Sequence, residues 1–324
     1  GLDEDRSDVI VQRGLEGFVF AVTPFNFTSI AGNLSTAPAL MGNTILWKPA
    51  STAVYSGWFL MELFRAAGVP DGVINFLPGS GSQVGGPAMA QPGLAGVHFT
   101  GSTAVFQQMW KTVGENIASY RTYPRIVGET GGKDFVFVHA SAEPGAVATN
   151  LLRGAFEYQG QKCSAASRAY IPESLWPTIR DQLVDEVQAL GVGDVRDPAN
   201  FLGAVIDRSA FETITGYIDY AAASDDAQIL AGGEYDDSTG WFIRPTVVQT
   251  TNPSFKLMEE EIFGPVLTIY VYPDARFEET LAVCDATSPY ALTGAIFSRD
   301  RYAVRTAMKA LRHAAGNFYI NDKP

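Results

Sequence analysis

The chain has 324 residues, of which 46% are hydrophobic and 18% charged, and its formal net charge is −12. That balance fits a folded protein with room for about two domains and argues against disorder. An acidic chain without a basic run is a poor match for nucleic acid or anionic lipid, and no stretch reaches the roughly 18 consecutive apolar residues of a membrane span. Two cysteines and three scattered histidines predict neither a disulfide framework nor a metal site, and they fit a soluble, reducing compartment. Gly1-Leu2-Asp3-Glu4-Asp5-Arg6 is acidic with no apolar core, so no targeting peptide is visible.

Short apolar runs alternate with helical patterns along the chain. Residues 19–22, 44–47, 73–77, 97–99 and 135–138 read as buried strands beside Gly or Pro, and 125–127 as the strand that leads into Glu129. Residues 51–67 have helical spacing, with Ser51 or Thr52 at the cap and Gly68 and Pro70 as the stop. His98-Phe99-Thr100-Gly101-Ser102-Thr103 reads as strand, turn and helix start. Further on, helices are predicted over 144–158, 174–190, 208–223, 277–286 and 301–314. Strands are predicted over 168–171, 229–230, 266–272, 293–297 and 317–320. Residues 232–238 read as a turn-rich surface loop. This alternation predicts parallel sheets covered by helices, an α/β class. The chain begins and ends abruptly and reads as a piece of a longer protein.

Several segments carry candidate chemistry. Cys163 lies in Gly160-Gln161-Lys162-Cys163-Ser164-Ala165. The adjacent Lys162 cation favours thiolate, and the small polar residues predict a turn that exposes the sulfur. A lone cysteine is more often core, and Cys284 in its apolar helical run reads that way. Glu129, in Gly128-Glu129-Thr130-Gly131-Gly132-Lys133, ends a strand among glycines that let backbone approach a ligand. Partial burial would raise its pKa and make it a general base; the bland alternative is a solvated strand end. Asn26, in Thr23-Pro24-Phe25-Asn26-Phe27, offers an amide to an oxyanion, or simply occupies a turn. Lys48, in Trp47-Lys48-Pro49-Ala50-Ser51, meets a ribose or phosphate, or else solvent. Gly101 and Ser102 precede a helix whose first N–H groups form an anion seat, although no G-x-G-x-x-G is present.

Taken in order, and together with Glu260-Glu261-Ile262-Phe263-Gly264-Pro265-Val266, these segments resemble the aldehyde dehydrogenase superfamily over nearly the whole chain. The resemblance implies a Rossmann-type NAD domain over 15–130 and an α/β catalytic domain over 131–324, incomplete at its C-terminus. Residues 1–14 would be part of an oligomerisation arm, and the full-length protein a homo-oligomer. Cys163 is then the nucleophile, Asn26 the oxyanion donor and Glu129 the base that hydrolyses a thioester. NAD would be held by Pro24, Phe25, Lys48, Pro49, Ser51, Gly101, Ser102, Glu261 and Phe263, with no metal involved.

Residues 13–18, Ala155-Phe156-Glu157-Tyr158, the Cys163 segment and residues 315–323 are similar to a narrower branch of that family. That branch oxidises L-glutamate γ-semialdehyde to L-glutamate in proline catabolism. The resemblance implies substrate contacts from Phe27, Lys162 and Ser164, and a place in the mitochondrial matrix or bacterial cytoplasm. Ser51 stands where many relatives carry Glu, and Phe106 where relatives often carry Gly. Two alternatives stand beside this reading: an enzyme for another acidic semialdehyde such as succinate semialdehyde, and an inactive fragment acting as a binding module.

Overall fold

The structure, a computed structural model, describes residues 13–324. Most of the predicted arm, 1–14, therefore lies outside the described residues. The chain divides into two compact units, one ending at Thr130 and one running Gly131–Pro324. No helix among the described residues is long and apolar enough to cross a membrane.

In the first unit, β1 (Phe18–Val22), β2 (Thr44–Lys48), β3 (Ile74–Phe76), β4 (Leu94–Thr100) and β5 (Arg125–Glu129) form one sheet in the order β3-β2-β1-β4-β5. Every neighbouring pair is parallel. Side chains alternate between faces along a strand, so a strand covered on both faces must be apolar throughout. β1 obeys this rule. Val19 and Ala21 enter a core with Ala31, Ile45, Trp47 and Met61. Phe20 enters another with Phe99, Met109 and Val113.

The helices Thr28–Leu40 and Val54–Ala66 supply the first core and Thr103–Glu115 the second. Thr28–Leu40 escapes sequence reading because small residues and an interior Pro38 blur its apolar spacing. Residues 51–53 form a tight 3-10 turn rather than a capped helix start, and the α-helix begins at Val54. Phe106 stacks on Phe99 with centroids 5.4 Å apart. A Cβ at Gly128 would lie 2.2 Å from the Phe106 ring.

The second unit is built on a seven-stranded sheet in the order β14-β13-β6-β7-β12-β11-β8. Its strands are β6 (Asp134–Val138), β7 (Ala166–Pro172), β8 (Ala227–Ala231), β11 (Thr246–Thr250), β12 (Val266–Tyr272), β13 (Thr293–Phe297) and β14 (Asn317–Ile320). All pairs are parallel except β8 with β11. A small antiparallel hairpin joins β9 (Tyr235–Asp236) to β10 (Phe242–Ile243), so strand begins inside the predicted loop 232–238.

β6 shows the alternation again. Val136 and Val138 pack with Val147, Leu151, Ile179 and Leu183 from the helices Pro144–Phe156 and Trp176–Gln188. Phe135 and Phe137 pack with Ile214, Leu281 and Ala307 from the helices Arg208–Ala222, Phe277–Ala286 and Arg301–Ala310. The predicted helix 144–158 stops at Phe156 because Tyr158 turns left-handed. The strand Thr246–Thr250 has no counterpart among the predicted elements.

A Cβ at Gly294 would lie 2.1 Å from the Phe135 ring. Gly294→Ala is therefore expected to destabilise the protein by about 1–3 kcal/mol, the usual scale of core overpacking. Chemical denaturation checks this, and Phe135→Leu in the same chain should recover part of the loss. An unchanged midpoint for Gly294→Ala would contradict the packing described.

Candidate active site

Because β1 to β5 are parallel, their carboxyl ends share one edge of the sheet. Pro24, Phe25, Asn26 and Phe27 follow β1 there. Lys48 ends β2, with Pro49 and Ser51 beyond it. Gly101 and Ser102 follow β4, and Glu129 ends β5. Chain order reverses between β1 and β4, and open α/β sheets bind ligands in the crevice at such a switch point.

Asn26 is buried, at 3% exposure. Lys48 is buried too, so the solvated reading of that residue is wrong; Nζ donates to the Pro49 carbonyl at 3.0 Å, and burial lowers its pKa. The helix Thr103–Glu115 starts after an extended Ser102 whose side chain makes no capping bond. Its first turn carries no acidic residue. Glu129 departs from expectation: it is exposed, not partly buried. β5 lies at the edge of its sheet, which leaves most of the strand uncovered.

In the second unit, Cys163 is half-buried in the turn between the helix Pro144–Phe156 and β7. Tyr158, Gln159 and Gly160 all take left-handed dihedrals, with φ of 58°, 58° and 62°. Such conformations cost of order 1–3 kcal/mol for a non-glycine residue and persist where the surroundings overdetermine them. The surroundings here are another backbone. A Cβ at Gly160 would lie 2.3 Å from the Gly264 carbonyl oxygen, and the neighbouring Phe263 is itself left-handed at φ 55°.

A second close approach fixes the same turn from below. A Cβ at Gly132 would lie 2.3 Å from the Cys163 carbonyl oxygen, and one at Gly131 would lie 2.1 Å from Glu261 Oε2. Gly132 N–H donates to Glu261 Oε1 at 3.0 Å. Glu261 is therefore not a solvated charge of an acidic loop. Burial raises its pKa, opposed by the Gly132 hydrogen bond and the nearby Lys133.

Lys162 Nζ lies 3.5 Å from Glu157, and burial with the nearby Lys323 lowers its pKa. Ser164 is half-buried beside it. Cys284 is wholly buried, and burial pushes its thiol up to about 12, which leaves Cys163 as the reachable sulfur of the two.

Sequence reading missed a buried polar network beneath this turn. Lys133 Nζ donates to Ser167 Oγ at 2.7 Å. Arg168 Nε donates to the Lys133 carbonyl at 2.8 Å, and Nη1 donates to Tyr170 Oη at 3.2 Å and to the Cys284 carbonyl at 3.1 Å. Asp134 Oδ1 accepts from Thr293 N–H at 2.6 Å. The available signal was the charge inside apolar strand runs, Lys133-Asp134-Phe135 and Ser167-Arg168-Ala169, where only a bonded charge is tolerated. Among the described residues, no group of three or more His, Cys, Asp or Glu is placed to hold a metal ion.

Burial moves the two adjacent charges in opposite directions: the Asp134 carboxyl up to about 7 and the Lys133 ammonium down to about 7. A carboxyl raised on folding contributes stability at low pH that is lost as pH rises through its folded pKa. A depressed lysine contributes stability at high pH that is lost as pH falls through its folded pKa. Asp134→Asn keeps an oxygen for Thr293 N–H and removes the first effect. Its stability relative to wild type should therefore improve steadily from about pH 5 to about pH 7, read from denaturation midpoints. A difference independent of pH would reject the raised carboxyl.

The profile of the aldehyde dehydrogenase family matches residues 2–324. The chain is 58% identical over 318 residues to the mitochondrial delta-1-pyrroline-5-carboxylate dehydrogenase of Dictyostelium discoideum, covering 98% of this chain and 57% of that protein. It is 50% identical over 314 residues to the human protein of the same name, covering 97% of this chain and 56% of that one. The crystal structure of the delta-pyrroline-5-carboxylate dehydrogenase from Mycobacterium tuberculosis bound with NAD superposes with a TM-score of 0.93 at 52% identity, covering 99% of this chain and 60% of that one. The chain thus spans little more than half the length of the curated relatives it matches. A profile match across nearly all residues, with relatives this similar and a shared architecture of Rossmann-type and mixed sheets, means that the chain belongs to the aldehyde dehydrogenase family.

Proposed function

We propose that the chain is the core of an NAD-dependent dehydrogenase that oxidises L-glutamate γ-semialdehyde, derived from Δ1-pyrroline-5-carboxylate, to L-glutamate in proline catabolism. The names of its relatives support the substrate, and the reachable Cys163 on its clamped turn is the observation that carries the chemistry. The protein works as a homo-oligomer in the mitochondrial matrix or the bacterial cytoplasm. The residues over 15–130 form its NAD domain and those over 131–324 its catalytic domain.

The Cys163 thiolate attacks the aldehyde carbon, and the carbonyl electron pair moves onto oxygen. The Asn26 amide and the Cys163 backbone N–H donate to that oxyanion; losing one such donor typically costs about 2.7–4 kcal/mol of barrier. Bound NAD supplies the two-electron acceptor through which the cysteine adduct becomes a thioester. Glu129 then takes a proton from water, which attacks the thioester carbon and expels the Cys163 thiolate as the acid leaves. Its exposure at an edge strand favours access to water. Lys162 and Ser164 receive the α-carboxylate of the substrate, and Phe27 packs against its aliphatic part.

NAD suits the residues present. Lys48, with a buried ammonium, would serve a ribose oxygen, and the uncapped start of the helix Thr103–Glu115 beside Gly101 and Ser102 would seat a pyrophosphate. Pro24, Phe25, Pro49 and Ser51 would line the same edge. Glu261 would hold the second ribose, with Phe263 beside it.

Cys163→Ser should nearly abolish oxidation while NAD binding stays measurable by titration; substantial residual turnover would remove Cys163 from the nucleophile role. Glu129→Gln should give a normal NADH burst followed by slow turnover in stopped-flow traces. Loss of the burst itself would assign Glu129 an earlier duty. A wild type that prefers succinate semialdehyde would reject the substrate.

A further inference from the structure

Glu157 gathers three cations. Arg153 Nε donates to it at 2.7 Å, Lys323 Nζ lies 3.0 Å away and Lys162 Nζ 3.5 Å. These groups come from different parts of the unit. Glu157 and Arg153 lie at the end of the helix Pro144–Phe156, Lys162 precedes Cys163, and Lys323 follows β14. The Lys323 backbone is pressed onto that helix, since a Cβ at Gly154 would lie 3.3 Å from Lys323 Cβ.

Arg153 is largely in solvent, where its charge is screened. The two lysines are not, with side chains 11% and 28% exposed. One carboxylate cannot neutralise both ammonium groups. The residual positive charge is half-desolvated, and Lys162, which shares it through Glu157, directly precedes Cys163 in the chain, so an anion arriving beside Lys162 would be stabilised.

We propose that Lys323 is the second cation of the seat that receives the carboxylate of the aldehyde substrate, and that Glu157 is the positioning residue that holds Lys162 and Lys323 in it. The assignment rests on the reading of the substrate as an acidic semialdehyde. Glu157 sets where the ammonium groups stand, and Lys323 adds charge that Lys162 alone would lose to Glu157.

The test compares glutamate semialdehyde with pentanal, an uncharged aldehyde of similar length, in the full-length protein. Lys323→Met should lower the preference for the anionic aldehyde, as the ratio of kcat/KM values, by roughly tenfold, the scale of one lost charged hydrogen bond. The loss should fall on KM for the semialdehyde rather than on kcat, and Lys323→Arg should restore most of it. Glu157→Gln should raise that KM too. A lowered KM would mean that Glu157 only screens the lysines, and would overturn its positioning role. A wild type with no preference for the anionic aldehyde overturns the substrate reading. A wild type with that preference, retained in full by Lys323→Met, overturns the seat.

Discussion

The glycine pair 131–132 is the constraint on which the arrangement of the second unit around Cys163 depends. One backbone segment lies so close to the Cys163 main chain and to the Glu261 carboxylate that a single methyl group on either glycine would collide with them. A side chain can hop between rotamers, but a backbone packed at van der Waals distance holds its neighbour to a fraction of an ångström. The turn bearing the thiol is held from a second direction where Gly160 meets Gly264. Two such contacts make the left-handed run before Cys163 stable where sequence alone would disfavour it.

Beneath the turn, charge does what packing cannot. Arg168 reaches the Lys133 carbonyl ahead of β6, the Tyr170 hydroxyl on its own strand and the Cys284 carbonyl in the helix Phe277–Ala286. Buried ions of this kind are weak contributors to net stability, because desolvation offsets their attraction. Their directional bonds nevertheless tie β6, β7 and that helix together at specific atoms. The same network carries the Gly131-Gly132 segment at its upper end, since Lys133 follows directly.

Most strands were legible because burial on both faces leaves a continuous apolar run, as in Phe135-Val136-Phe137-Val138, whereas Thr246–Thr250, with threonine at both ends and a glutamine within, was not. The helix Thr28–Leu40 was not legible either, since its small residues give no strong stripe. Candidate site positions came from motif order, which says nothing of their environments. The exposure of Glu129 follows from β5 lying at an edge, which is a property of strand order. The burial of Lys48 is likewise tertiary. Nothing local marks Tyr158, Gln159 or Phe263 as left-handed, because only glycine advertises that conformation. The link from Lys162 through Glu157 to Lys323 spans most of the second unit's chain and has no local pattern at all.

Phe106 and Gly128 carry a consequence for how the first unit varies. The ring occupies the space that a side chain at 128 would need, while its other side lies on Phe99. The two positions are complementary in volume, so neither can change size unless the other compensates, and substitutions there will be epistatic. The interlock also yokes the helix beginning after Ser102 to the strand ending in Glu129. The position of that helix and the course of the strand that ends in Glu129 are thus set together.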